Sequence, residues 1–194
     1  SASMLRELEN KEMALSDRSR RVAELEGMLR SREEAIDAIR RKVTDALTGF
    51  EGKGLSISIR NGNVYVSMDD KLLFRSGSFE IDPNGARAVR DLSEVLAQNP
   101  DINVMVEGHT DDVPYRSNGQ LKDNLDLSAK RATTVVRLLL ENKQIAPSRI
   151  IAAGRGESLP VDPAKTSEAR AKNRRTEIIL TPKLDELMQL MEKQ

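Results

Sequence analysis

The chain has 194 residues, no cysteine, and 31 basic and 31 acidic side chains, so its formal net charge is zero. This length fits one domain of about 100–150 residues and an additional segment. The lack of cysteine excludes disulfides, zinc–thiolate sites and thiol catalysis, and the balanced charge argues against nucleic-acid binding, for which a basic excess is expected. No run approaches the roughly 18 apolar residues of a membrane-spanning helix.

A long helix with a coiled-coil pattern is predicted over residues 4–50. This stretch is rich in charges of both signs and has an apolar residue at every seventh position: Leu8, Leu15, Val22, Leu29, Ile36, Val43 and Phe50. The companion heptad positions include Lys11, Arg18 and Arg32, so the apolar seam is incomplete. We therefore expect residues 1–50 to be a helical spacer that pairs weakly with a second chain; a single solvated helix is the alternative.

A domain over residues 51–194 is predicted to follow, because two glycines and a change of composition end the helical pattern. Apolar residues alternate with polar ones over residues 55–60 and 64–68. Asn61-Gly62 lies between these two runs, and both residues accept the positive φ angles of a two-residue turn. The domain is therefore expected to begin with a β-hairpin.

Helices and strands alternate through the rest of the domain. Asp82-Pro83 predicts the start of a helix, and Asn99-Pro100 predicts its end. Apolar patterns predict a strand, a helix and two more strands at residues 102–106, 132–139, 150–153 and 176–180. A last amphipathic helix is expected after Pro182, with Leu184, Leu187, Met188 and Met191 on one face.

Polar residues cluster where the strand that begins at Ile102 ends and where the next helix starts. Residues 107–114 read EGHTDDVP, and residues 124–132 read NLDLSAKRA. Ser128 or Asp126 is expected to cap the helix, with Arg131 in its first turn. Because strand ends and helix starts leave a crevice for ligands, an acidic and a basic side chain are expected to face a common space.

Three motifs in this order resemble the OmpA-like peptidoglycan-binding domain. The family pattern of GHTD, N-x-x-L-S-x-x-R-A and NRR before a strand is matched by GHTDDVPY, NLDLSAKRA and NRRTEIIL. The resemblance covers about residues 55–181. It implies an α+β fold, a two-layer βαβαβ sandwich in which a mixed sheet carries helices on one face, here preceded by the coiled-coil segment. The proline after Thr-Asp and the long loop of residues 113–121 are closest to the MotB-like branch.

The ligand that the resemblance implies is the diaminopimelate of the peptidoglycan stem peptide, whose side chain ends in an ammonium and a carboxylate. Asp111 suits the ammonium because a carboxylate only accepts hydrogen bonds. Arg131 can hold the carboxylate through two parallel hydrogen bonds, which lysine cannot do. By the same resemblance, five further residues line or shape the site, with Arg174 preferred over its neighbour Arg175: Thr110, Asn124, Leu127, Ser128 and Arg174. No cofactor and no metal are expected.

Each of these residues also has a purely structural interpretation. Asp111 and Arg131 can form a salt bridge between a loop and a helix, Ser128 can be a helix cap, and Asn124 can be a turn residue. His109 is the only histidine and stands near Glu107 and Asp111, so a metal-dependent hydrolase of wall peptides is a further alternative. A lone histidine with acidic neighbours is more typical of an internal hydrogen-bond donor at a strand end.

The resemblance predicts a non-enzymatic protein that anchors a larger assembly to the cell wall. It implies a periplasmic location in a Gram-negative bacterium, associated with the outer membrane and the wall. The N-terminal helix is expected to space the domain or to form a homodimer. Any membrane attachment is expected to lie in a segment outside this chain, as in a lipoprotein. The alternative is the periplasmic part of a MotB-like flagellar stator.

Overall fold

The computed structural model describes residues 1–117, 119–183 and 189. A long helix, α1, spans Ala2–Ala46. The contacts divide the chain into two units, Ser1–Ala35 and Ile36–Lys183. Among the described helices, none combines the length and the apolar content that crossing a lipid bilayer requires.

The unit Ile36–Lys183 contains the sheet and the shorter helices. The strands are β1 (Leu55–Arg60), β2 (Asn63–Asp69), β3 (Ile102–His109), β4 (Ile150–Gly154) and β5 (Arg175–Pro182). The helices are α2 (Asp70–Leu73), α3 (Pro83–Gln98), α4 (Asn124–Leu139) and α5 (Ser167–Asn173), and a 3-10 turn covers Pro147–Arg149. The short helices α2 and α5 were not predicted, because segments of four and seven residues are too short to display a helical apolar repeat.

The five strands form one mixed sheet in the order β1-β2-β5-β3-β4. The β3–β4 pair is parallel and the other three pairs are antiparallel. The predicted hairpin joins β1 to β2, and Asn61 and Gly62 at its turn have φ angles of 50° and 73°. The α+β class with a mixed sheet and packed helices, expected from the resemblance, is confirmed.

One face of the sheet forms the core with α3 and α4. Alternate residues of the central strands are buried against apolar stripes of these helices. The buried set includes Val66, Met68, Val104, Val106, Ile178 and Leu180 from strands, and Val89, Leu92, Leu96, Val135 and Leu139 from helices. The periods of two and 3.6 residues in the sequence therefore identified most of this core correctly.

The C-terminal part of α1 also belongs to this core. Its apolar residues are buried there, together with those just beyond the helix: Ile36, Ile39, Val43, Leu47 and Phe50. The compact unit thus begins before the predicted boundary at residue 51. The physical reason is that an apolar stripe facing its own domain and a coiled-coil seam facing another chain have nearly the same spacing over a few turns. The earlier heptad residues Leu8, Leu15, Val22 and Leu29 are exposed.

The two main helices begin at aspartate caps. Asp82 caps α3 as predicted, since its carboxylate accepts a hydrogen bond from the Asn84 N–H at 2.9 Å. The cap predicted for α4 is wrong: Asp123, not Ser128 or Asp126, is the N-cap. Its carboxylate accepts from the Asp126 N–H, and the Asp126 carboxylate accepts from the Lys122 N–H, both at 2.9 Å. These two hydrogen bonds start the helix earlier and leave Arg131 in its second turn.

The helix predicted after Pro182 lies outside the described residues, as do Leu184, Leu187, Met188 and Met191.

Candidate functional site

An open cavity of about 770 Å³ lies where β3 ends and α4 begins. Its walls come from both elements, from α2 with the turn that follows it, and from residues 113–116. Six of the seven residues predicted for the site line it: Thr110, Asp111, Asn124, Leu127, Arg131 and Arg174. Ser128 is the exception, because it is fully buried behind the wall. The fold therefore brings together residues from three separate motifs.

Close packing of α4 on the sheet positions two of these motifs. A Cβ atom on Gly108 would overlap the Ser128 carbonyl oxygen, and one on Gly154 would lie 2.8 Å from the Ala129 nitrogen. Glycine at both positions lets the helix backbone approach β3 and β4 closely. The Ser128 hydroxyl accepts a hydrogen bond from the Gly156 N–H at 2.9 Å. Ser128 thus anchors the turn after β4 to α4.

Asp111 is fixed by contacts on both carboxylate oxygens. Oδ2 accepts a hydrogen bond from Nη1 of Arg174 at 2.6 Å, and Oδ1 accepts from the Val113 N–H at 3.0 Å. The Asn124 amide donates to the Val113 carbonyl oxygen at 3.0 Å, and the Thr110 hydroxyl donates to the Asp111 carbonyl oxygen at 3.0 Å. The carboxylate is therefore held at the cavity wall in a defined orientation.

Arg131 is buried and is paired with Asp70, not with Asp111. Its Nη1 lies 2.8 Å from Oδ1 of Asp70, and its Nη2 lies 3.4 Å from Oδ2. Its Nε and Nη2 donate to the Ser78 carbonyl oxygen at 3.1 and 3.0 Å. The salt bridge between Asp111 and Arg131, weighed above as the structural interpretation, is not formed. Both hydrogen-bonding edges of the guanidinium are instead occupied from within the protein.

Asp70, Arg131, Asp111 and Arg174 form an inner charge network of two carboxylates and two guanidiniums. Burial raises the pKa of the Asp70 carboxyl group, while Arg131 and Arg174 act in the opposite direction. Burial lowers the pKa of Arg131, and Asp70 opposes this. The Asp70 N–H also donates to the Arg174 carbonyl oxygen at 3.1 Å, which joins the start of α2 to the entry of β5. The network is neutral as a whole.

Asp70 is the member of the inner charge network that the sequence did not reveal. It stands 61 positions before Arg131 and outside all three motifs. The one local signal is that it is adjacent to Asp69 at the end of an alternating run, which is an ordinary surface pattern. Only the tertiary fold brings this carboxylate to the guanidinium.

A second buried cluster contains Glu107, His109 and Glu177. His109 donates from Nε2 to Glu107 at 2.9 Å, in agreement with the predicted internal donor. Burial lowers the pKa of His109, and Arg175 lowers it further. The carboxylates are paired with arginines: Arg60 and Arg175 with Glu177, and Arg155 with Glu107. Asp111, the third ligand of the metal alternative, belongs to the inner charge network instead. Three cationic partners make this cluster a poor receptor for a metal ion.

A sequence profile of the OmpA family matches residues 73–174, more than half of the chain. The chain belongs to the OmpA family. The matched span of this OmpA-family domain runs from the last residue of α2 to the residue that follows α5 and so includes most of the cavity wall, but not Asp70. Among curated proteins, motility protein B of Bacillus subtilis is 33% identical to this chain over 129 residues, and the match covers 66% of the chain. The chain spans 49% of that protein and less than two thirds of the next two curated relatives.

Solved structures agree with this assignment. A MotB-like protein from Desulfovibrio vulgaris superposes with a TM-score of 0.67 at 31% sequence identity, covering 78% of this chain and 96% of the other. The cell wall anchor of the type VI secretion system (T6SS) of Pseudomonas aeruginosa superposes with a TM-score of 0.65 at 26% identity, covering 74% of this chain and 99% of the anchor. Both similarities extend over nearly the whole of the other chain.

Proposed function

We propose that this OmpA-family domain binds peptidoglycan non-covalently through the diaminopimelate of the stem peptide. The observation that carries the proposal is the inner charge network, which offers carboxylates and guanidiniums within one open cavity. The free end of diaminopimelate carries one ammonium and one carboxylate, so it needs one group of each sign. The similarity to a cell wall anchor supports the same ligand class.

In the proposed complex, Asp111 accepts hydrogen bonds from the ligand ammonium and Arg131 donates to its carboxylate. Because one edge of Arg131 faces Asp70 and the other faces the Ser78 carbonyl oxygen, a carboxylate that takes two hydrogen bonds from Arg131 has to displace one of them, and we place it on the edge that faces Asp70. Arg174 supplies further donors, since within the described chain only its Nη1 makes a side-chain hydrogen bond. Binding is therefore an exchange of ion-pair partners.

The other predicted residues support this exchange. Thr110 and Asn124 hold the backbone around Asp111 through hydrogen bonds, and Leu127 contributes an apolar surface to the cavity wall. Ser128 acts behind the wall by fixing the turn at Gly156. We assign none of these residues a catalytic step; the proposed role is anchoring in the periplasm, next to the wall and the outer membrane.

The proposal includes pairing of two chains through the N-terminal helix. Leu8, Leu15, Val22 and Leu29 repeat every seventh residue and are 52–66% exposed in the single chain. If the same helix of a second chain packs against this stripe, the apolar side chains of both stripes become buried. Two domains held side by side would bind neighbouring stem peptides with a higher apparent affinity than one domain.

The test is a pull-down with purified peptidoglycan sacculi. The wild-type chain is expected to sediment with sacculi, whereas Asp111→Asn and Arg131→Lys should remain mostly in the supernatant, with affinity lower by about tenfold or more. Asp112→Asn is the matched control, because Asp112 pairs with Arg170 and does not line the cavity. Retention of both site variants at the wild-type level would refute the proposed site.

A MotB-like stator role is the second candidate, favoured by the similarity to motility protein B and to the MotB-like structure. The domain would bind the wall in the same way but would hold a motor in place. Deletion of the gene distinguishes the two roles. Loss of swimming with an intact envelope supports the stator, and envelope leakage in cells that still swim supports the tether.

A further inference from the structure

The cavity wall carries more positive than negative charge. Outside the neutral inner charge network, its charged lining residues are Lys71, Arg75, Asp82 and Arg116. These are three cations and one anion. A bound group with no net charge, such as the zwitterionic end of diaminopimelate, leaves this excess in place.

Two of these cations, Lys71 and Arg116, are not held by a direct contact. Arg75 has a partner in Glu80 at 3.5 Å, and Asp82 is engaged as the cap of α3. By contrast, the exposed side chains of Lys71 and Arg116 make no hydrogen bond or salt bridge with any residue that the structure describes, although Lys71 attracts the nearby Asp69 carboxylate through space. Because neither cation is held by a direct contact, both can turn towards an anion in the cavity.

Both cations lie close in sequence to the proposed ligand site. Lys71 follows Asp70, which pairs with Arg131, and Arg116 follows Tyr115, which lines the same cavity as Arg131. A peptide whose diaminopimelate is held at Arg131 therefore brings its neighbouring residues towards these two side chains. Arg116 lies in the loop of residues 113–121, which differs from the more common family pattern.

We propose that the cavity selects stem peptides that carry a free carboxylate beside the diaminopimelate end, and that Lys71 and Arg116 bind this second carboxylate. The inference rests on the proposed function and adds a specificity to it. In a stem peptide the second carboxylate comes from the α-carboxyl group of the γ-linked D-glutamate or from the terminal D-alanine. Amidation turns either group into a neutral amide, which cannot satisfy two cations.

The test measures the affinity of the full chain for three stem tetrapeptides with the same diaminopimelate end. One peptide has all carboxyl groups free, one is amidated at D-glutamate, and one is amidated at the terminal D-alanine. We expect one amidation to weaken binding about fivefold, and the difference to shrink at high salt because exposed charges are screened. The peptide that loses affinity identifies the source of the carboxylate.

Two double variants test whether Lys71 and Arg116 cause the loss of affinity on amidation. Lys71→Gln with Arg116→Gln should bind the free peptide about fivefold more weakly and should no longer distinguish it from the amidated one. Lys143→Gln with Arg137→Gln is the matched control, because these exposed cations do not line the cavity. Each variant keeps the inner charge network intact.

The outcomes separate the two proposals. Equal affinity of the wild-type chain for all three peptides overturns the second-carboxylate site and leaves the diaminopimelate site standing. If the variant with Lys71→Gln and Arg116→Gln still binds the free peptide more tightly than an amidated one, these two residues do not bind the second carboxylate. Failure of all three peptides to bind removes the proposed function together with the inference.

Discussion

Asp70 changes how the ligand site is understood at the scale of single residues. The motifs drew attention to Asp111 and Arg131 as an acid and a base, but the contacts give each of them an internal partner. A ligand therefore meets a closed set of ion pairs and has to compete with them. We therefore expect the affinity of the proposed site to depend on Asp70 and Arg174 as well as on the two residues that the motifs contain.

Substitution of Asp70 tests this competition. Asp70→Asn preserves the shape of the side chain and removes its charge, so the edge of Arg131 that faces Asp70 no longer pairs with an internal carboxylate. We expect the affinity for a stem peptide to rise about threefold, measured by calorimetry, because the ligand carboxylate then has less to displace. Weaker binding by this variant would contradict the competition and would assign Asp70 to the ligand ammonium.

His109 is expected to make the free energy of unfolding depend on pH. Its pKa is lowered in the folded chain by burial, and an unfolded histidine has a pKa of about 6.5. Below that pH the unfolded chain takes up a proton that the folded chain resists. The free energy of unfolding should therefore be unaffected by His109 above about pH 7 and should fall as the pH decreases from about 6.5 towards the lowered pKa.

Urea unfolding of the wild-type chain and of His109→Gln between pH 7.5 and pH 5 measures this contribution. The slope attributable to His109 is at most about 1.4 kcal/mol per pH unit. Because the chain has one histidine, the difference between the two proteins isolates it. Parallel pH profiles would show that the histidine is protonated equally easily in both states.

The contact between α4 and the sheet determines the site geometry at the scale of elements. Gly108 belongs to the same motif as Asp111, and Ser128 belongs to the same motif as Arg131. The close approach of Gly108 to the Ser128 carbonyl oxygen therefore joins the two motifs. Gly108→Ala would bring a methyl group against the Ser128 carbonyl oxygen. We expect a loss of roughly 2–3 kcal/mol in the free energy of unfolding, together with weaker ligand binding.

Gly49→Ala is the control for this substitution. A Cβ atom at Gly49 meets no other atom within 4 Å, and its backbone has an ordinary φ angle. Its stability should change by less than about 0.5 kcal/mol. A similar loss in both variants would mean that the close helix–sheet contact at Gly108 does not cause the effect, because replacing glycine by alanine in an open position does not by itself destabilise the folded chain.

The helix α1 contains two valines that allow the contributions of its N-terminal and C-terminal halves to stability to be compared. Val22 and Val43 occupy the same heptad position, but Val22 is 53% exposed and Val43 is fully buried. Val43→Ala should cost about 1–3 kcal/mol, from lost burial and the cavity that remains. Val22→Ala should cost less than about 0.5 kcal/mol at concentrations where the chain is monomeric. Thermal unfolding of the two variants in parallel provides the measurement.

These elements also indicate what the sequence could and could not reveal. Asp82-Pro83, Asn61-Gly62 and the alternating strands carry local signals, so their structures were predicted correctly. The heptads of α1 were ambiguous, because spacing alone does not identify the surface that an apolar stripe meets. The cap of α4 was missed for a related reason, because several polar residues near its start can each act as a cap. The choice depends on the hydrogen bonds that the Asp123 and Asp126 carboxylates accept from backbone N–H groups.

Self-association is the property to test at the scale of the whole molecule. If the exposed stripe of α1 pairs two chains, sedimentation equilibrium should give a reversible monomer–dimer transition. Leu15→Glu with Val22→Glu should abolish it, because two buried charges in the seam cost more than the contact provides. Val161→Glu, an exposed apolar position outside the helix, should leave the transition unchanged. A wild-type chain that stays monomeric at high concentration would rule out pairing through this helix.

The five apolar residues of 36–50 that enter the core have a mechanical consequence for the proposed anchoring role. A pulling force applied at the N-terminus travels along α1 and enters the domain through these buried side chains. Ile36 is the first buried residue counted from the N-terminus, so the contacts of residues 36–50 bear this load before the strands of the sheet do. Tension on the domain is then resisted first by apolar packing and only afterwards by the hydrogen bonds between strands.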